Sequence, residues 1–286
     1  MNDTSLDISK NIDPQKAEML MAIYQTARKQ HVPFVIAGAA ARDFILENGH
    51  HIATIRATQD IDIGISVSSW NEYAQFAERL CTEAHFQKTD IEHRLESTTP
   101  VKNIVDILPF GGIENENRAI HWPQENREMN MAGFAEAYAM AEDIKIFIKP
   151  RVIIKMVSLA GLAMLKLISW NDKPSERDRD AKDFRLIMYK YLDAKPAEYV
   201  FDVHPDIAGM GDFDLISARS LGRDIQLIAG KPLLPTISDI LNRQCFADGE
   251  LRFVQQMQPS FIDRDPAIAR DLEMLNTVRQ GVADIR

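Results

Sequence analysis

Apolar positions change period along this chain, and the changes mark out its elements. After a polar leader, Asp13-Pro14 opens a predicted helix with proline at its first position, and Met19, Leu20, Ile23, Tyr24 and Ala27 form its apolar stripe. Residues 32–37 are a short apolar run, predicted to be a buried strand. It breaks at Gly38 into a predicted helix over residues 39–46 that ends near Asn48-Gly49. Residues 58–67 alternate polar with apolar, which is strand period, and Ser68-Ser69 then starts an amphipathic helix through Trp70, Tyr73, Phe76, Ala77 and Leu80. Strand-like segments follow at residues 91–97 and 103–108, the second closed by Pro109-Phe110-Gly111-Gly112, and again at 144–148 and 152–157 on either side of Lys149-Pro150. From Ser158 the pattern is helical. It predicts helices over 158–170 and 178–192, a charged loop between them, and a mostly helical remainder with loops at 202–214 and 229–235.

The expected fold class is therefore α+β. A mixed β-sheet flanked by helices, with an N-terminal helix, occupies residues 1–157, and a mostly helical C-terminal domain that completes a cleft occupies residues 158–286.

Composition narrows the function classes. The chain has 286 residues, 45% of them hydrophobic, enough to bury one large core or two modest ones, which excludes a disulfide mini-scaffold. Acidic residues (42) outnumber Lys and Arg (33), and the net charge of −9 gives no bulk attraction to nucleic acid or an anionic membrane. A polyanionic ligand has to be held locally. Cys81 and Cys245 are too few for a disulfide framework and lack metal-ligand spacing, which fits a reducing compartment. The leader lacks the apolar run of a signal peptide, and the greasiest stretch, residues 152–170, is interrupted by Lys155 and Lys166, so a cytoplasmic protein with no membrane association is expected.

The sharpest chemical signal is Asp60-Ile61-Asp62-Ile63. Side chains alternate along a strand, so both acids point to one face, roughly 7 Å apart at the backbone, where they can converge on a cation. Oxygen-only donors suit Mg²⁺ or Mn²⁺; two solvated acids on an edge strand are the plain alternative. Asp106 is a single acid in an otherwise apolar strand, and it becomes a third ligand if its strand lies beside that of Asp60 and Asp62. Gly38, at a strand-to-helix turn, lets backbone approach a phosphate. Arg56 and Arg42 can each bring positive charge near phosphates or lie at the surface, and the surface reading is the preferred one for Arg42. In the helical half, Asp180 and Asp183 extend the apolar stripe of Phe184, Ile187 and Met188, and Lys166 sits among leucines, so it either snorkels to water or reaches into a cleft.

Taken in order, Gly38, Arg56-x-Thr58-x-Asp60-Ile-Asp62, Val105-Asp106-Ile107-Leu108 and Leu165-Lys166-Leu167 with Lys182-Asp183 resemble the nucleotidyltransferase superfamily related to polymerase β. Within it, the pattern is most similar to the minimal and abortive-infection (AbiEii-like) toxin branch. The resemblance spans roughly residues 32–192. It implies an enzyme that moves a nucleoside monophosphate from an NTP substrate such as ATP to a hydroxyl acceptor. It also implies metal binding by Asp60, Asp62 and Asp106 in a two-metal site, and phosphate or nucleotide contacts from Gly38, Ala39, Arg56 and Thr58. Lys166 and Asp183 then complete the pocket. The toxin branch further implies an RNA or tRNA acceptor and an antitoxin partner, while the lack of a basic stripe in this acidic chain leaves a protein or a small molecule such as an antibiotic open as acceptor. Two departures stand out: Ala39 follows Gly38 where the family has Gly or Ser, and the gap from Gly38 to Asp60 is long, with His50-His51 in it. The alternatives are a catalytically degenerate nucleotide- or RNA-binding module of the same fold, which Ala39 favours, and a phosphohydrolase, which the lack of a His-Asp metal motif disfavours.

Overall fold

A computed structural model describes residues 5–54, 58, 60–99, 102–245, 251–258 and 264–284. The chain forms two compact units, Met1–Ser158 and Leu159–Arg286.

In the first unit, β1 (Leu6–Asp7) precedes α1 (Pro14–Gln30), whose N-cap Asp13 accepts from the amides of Gln15 and Lys16. Next come β2 (Phe34–Ala37), α2 (Gly38–Asp43) and a π-helical turn over Phe44–Gly49. After β3 (Asp60–Ser66), Ser69 caps α3 (Trp70–Glu83), and β4 (Phe86–Lys88), β5 (Arg94–Ser97) and β6 (Ile104–Phe110) follow. A hairpin of β7 (Ala119–Trp122) and β8 (Arg127–Asn130), then α4 (Phe134–Ala139), lead into β9 (Glu142–Phe147) and β10 (Val152–Met156).

Eight of these strands form one mixed sheet in the order β1-β9-β10-β2-β3-β6-β5-β4, with β7 and β8 paired separately. The central strand β3 runs antiparallel to β2 and parallel to β6. A parallel neighbour needs a crossover, and α3 with β4 and β5 lies in that connection. Ile61, Ile63, Ile65, Val105 and Ile107 are fully buried and supply one face of the core, so the polar residues between them are left on the other. β6 runs through Pro109 to Phe110, past the proline at which the pattern predicts its end. Its pairing with β5 stops at Asp106, so the missing N–H of Pro109 costs that ladder nothing.

The second unit is helical: α5 (Leu159–Asp172), α6 (Asp178–Lys190), α7 (Tyr199–Val203), α8 (Phe213–Cys245), α9 (Arg252–Met257) and α10 (Arg264–Val282). The loop predicted at 229–235 is absent. Gly230 alone leaves helical geometry (φ 53°, ψ −171°), and Pro232 lies in the first turn after it, where its missing N–H is harmless. The α+β expectation is thus met, with a mixed sheet flanked by helices followed by a helical region. No helix among the described residues is long and apolar enough to cross a membrane.

Candidate active site

One register row crosses four strands. Ala37 of β2 faces Asp62 of β3, Asp62 faces Asp106 of β6, and Asp106 faces Arg94 of β5. Residues in register on neighbouring strands leave the sheet from the same face, so Asp62, Asp106 and Arg94 share one side. Asp60, two residues before Asp62, shares it too. The sequence-predicted acids are brought together, and a guanidinium that the pattern did not single out stands beside them.

Gly38 follows Ala37 at the end of this row, with φ +66°. A Cβ on it would lie 1.7 Å from Oδ2 of Asp62 and 2.7 Å from its Cγ. The glycine is therefore required by a carboxylate packed against its Cα, in addition to any ligand that approaches the turn. Ala39 follows on α2 and is half-buried.

Asp60 is held from below. Thr58 donates its hydroxyl to Asp60 Oδ1 at 2.9 Å, and its amide donates to Oδ2 of Asp43 at 3.3 Å. Asp43 accepts from Nε and Nη2 of Arg42 at 2.8 and 2.6 Å. The expectation that Arg42 is a surface residue is corrected: it is 5% exposed, because α2 turns it inward beside the acid next to it in sequence. Burial raises the pKa of Asp43, against the pull of Arg42. Arg56 lies outside the described residues.

Arg94 donates from Nε to Oδ1 and from Nη2 to Oδ2 of Asp106, both at 2.7 Å, a two-pronged charge-assisted pair. The same Nη2 lies 3.6 Å from Oδ2 of Asp60. Hydrogen bonding to Asp106, with attraction from Asp60 and Asp62, holds the Arg94 guanidinium above the usual arginine range despite its partial burial. On the other side, His93 Nε2 is 4.0 Å from Asp106 Oδ2. Its Nδ1 lies 3.2 Å from Nη2 of Arg127, and since a guanidinium only donates, Nδ1 is the acceptor. Burial keeps the pKa of His93 below the usual histidine value, outweighing Asp106. Trp122 packs its ring 5.5 Å from His93 and 5.1 Å from Trp70, so the β7–β8 hairpin braces this edge of the acidic face.

Asp60 and Asp62 are hard oxygen donors of the kind that hold Mg²⁺ or Mn²⁺. Among the described residues, no group of three or more His, Cys, Asp or Glu is placed to hold a metal ion, and the third acid presents both oxygens to Arg94.

In the second unit, Lys166 Nζ lies 2.7 Å from Asp180 Oδ1 and 2.9 Å from Asp183 Oδ2. Burial works against its charge, but the two carboxylates outweigh it and hold the ammonium above the usual lysine range. Lys166 neither snorkels alone nor stands apart; it joins α5 to α6.

No protein-family model matches the chain, and no curated protein sequence matches it. Solved structures with a loose likeness include the antibiotic-resistance factor ANT(2'')-Ia in solution, at 14% identity and a TM-score of 0.37, covering 61% of this chain and 83% of that one. A crystal structure of ANT(2'')-Ia with adenylyl-2''-tobramycin gives 16% identity and a TM-score of 0.38, covering 60% and 87%. A CCA-adding enzyme in complex with ATP gives 15% identity and a TM-score of 0.33, covering 96% and 68%.

Proposed function

We propose that the protein is a nucleotidyltransferase that moves a nucleoside monophosphate from an NTP to an acceptor hydroxyl. The observation that carries this reading is the row Ala37–Asp62–Asp106 across β2, β3 and β6, with Gly38 at its end and Asp60 on the same face. In the reaction, an acceptor oxygen attacks the α-phosphorus. The new oxygen–phosphorus bond forms as the bond to pyrophosphate breaks, and the acceptor proton leaves to solvent across the carboxylate face. A Mg²⁺ or Mn²⁺ ion on Asp60 and Asp62 would screen phosphate charge. The chain's own contribution is positional. Thr58 fixes Asp60, Gly38 seats Asp62, and the Gly38-Ala39 turn offers backbone to the phosphates.

The finer assignments follow the resemblance. They are a place in the AbiEii-like toxin branch, a role for Lys166 and Asp183 in nucleotide binding, RNA or tRNA as acceptor, and an antitoxin partner. Incubation with each labelled NTP, Mg²⁺ and total RNA or lysate tests the reading: a labelled macromolecule or small molecule together with pyrophosphate release supports it, and no label with any NTP rejects it.

A second reading, a nucleotide-binding module without turnover, is favoured by the guanidinium already paired with Asp106. Calorimetry with each NTP and Mg²⁺ separates the two, because binding without pyrophosphate release identifies the module.

A further inference from the structure

Three acids on one sheet face repel one another unless a cation lies among them. This face has one of its own. A single nitrogen, Nη2 of Arg94, touches Oδ2 of Asp106 at 2.7 Å and stands 3.6 Å from Oδ2 of Asp60. A metal ion shared between Asp60 and Asp106 would need that seat. The guanidinium is also not a loose surface group: its second prong, Nε to Oδ1 at 2.7 Å, fixes its plane. The Arg94 side chain is 26% exposed and that of Asp106 10%, so solvent screens the pair only in part. His93 and Trp122 pack behind it on the hairpin side.

We propose that Arg94 is the resident counter-cation of the acidic face, so that the site takes one divalent ion, on Asp60 and Asp62, rather than two. This deepens the nucleotidyl-transfer reading and rests on it. Arg94 is then a positioning residue. It neutralises Asp106, keeps that carboxylate aimed at the row, and occupies the position from which a second ion would draw on Asp60 and Asp106 together.

The test is a count of Mn²⁺ bound per full-length chain, by electron paramagnetic resonance with the metal alone. The native protein is expected to bind one ion. Arg94→Gln, which empties the seat, is expected to bind two. Arg94→Lys keeps a positive charge there and is expected to stay at one. Two ions in the native protein, one ion in a folded Arg94→Gln protein, or two in Arg94→Lys would each overturn the inference while leaving a metal-binding transferase in place. No Mn²⁺ on the native chain would discard the metal-dependent reading as well. If Arg94→Gln does not fold, as thermal melting would show, the native and Arg94→Lys counts decide.

Discussion

The carboxylate of Asp62 lies where a side chain on Gly38 would begin, with Oδ2 at 1.7 Å from the position of the missing Cβ. Turn and acid are thus one steric unit, and the backbone at Gly38 has a positive φ that favours glycine independently. Gly38→Ala is expected to cost about 2 kcal/mol, from left-handed backbone strain and overpacking together. It should also push Asp62 off the row. A lowered urea midpoint together with lost pyrophosphate release is the expected result; an unchanged midpoint would mean that the turn can move aside.

Asp60 separates chemistry from stability. Its side chain is 45% exposed, and it meets the Thr58 hydroxyl and, farther off, Arg94. Asp60→Ala is expected to abolish nucleotidyl transfer while changing stability by no more than about 0.5 kcal/mol. Circular-dichroism melting and a pyrophosphate assay on the same preparation check both halves, and measurable turnover would remove the role assigned to this acid.

The edge strand β1 carries a pH dependence. Hydrogen bonds from Lys145 and Ser9 hold the Asp7 carboxyl down at about 2, from an ordinary value of 3.8, and Lys145 Nζ lies 2.7 Å away. A depressed folded-state pKa means that the contribution is present above 3.8 and is lost as pH falls from there toward 2. Because Asp7 is 40% exposed, solvent keeps the gain below about 1 kcal/mol. The urea midpoint of Asp7→Asn should therefore fall below native at neutral pH and converge with it near the acid end of that window.

Lys166 is expected to behave differently. Asp180 is 5% exposed, and removing its ammonium partner leaves two carboxylates crowded in a poorly solvated place. Lys166→Met should cost roughly 3–5 kcal/mol. Adding Asp180→Leu should restore part of the loss, because the stranded charge goes with it. Equal melting temperatures for the single and double variants would show that Asp183 alone carries the cost.

Much of this architecture was legible in the residues. Asp13-Pro14 places the start of α1, Ser69 that of α3, and the alternation through Ile61 and Ile63 marks β3 as a strand with acids on one side. The register was not legible. Arg94 sits in Arg-Leu-Glu-Ser, which reads as an ordinary solvent-facing strand, and only its pairing opposite Asp106 gives it meaning. Residues 119–122 and 127–130 show no sustained alternation. Their hairpin is anchored by Trp122 fitting between Trp70 and His93, a contact between segments far apart in sequence. The burial of Arg42 is hidden from the pattern because a charged residue on a short helix usually faces water, and it depends on Asp43 being buried with it. Gly230 with Pro232 and Pro235 carries strong loop signals, yet one residue absorbs the whole bend.

The parallel pairing of β3 with β6 has a consequence for the order in which this molecule matures. The intervening segment contains a complete helix and two further strands, so Asp62 and Asp106 meet only after a long chain closure, and Arg94 reaches its partner from inside that same segment. A nascent or partly unfolded chain carries the acids on unconnected pieces. The acidic face is therefore a property of the closed sheet, assembled only when β3, β5 and β6 have all paired.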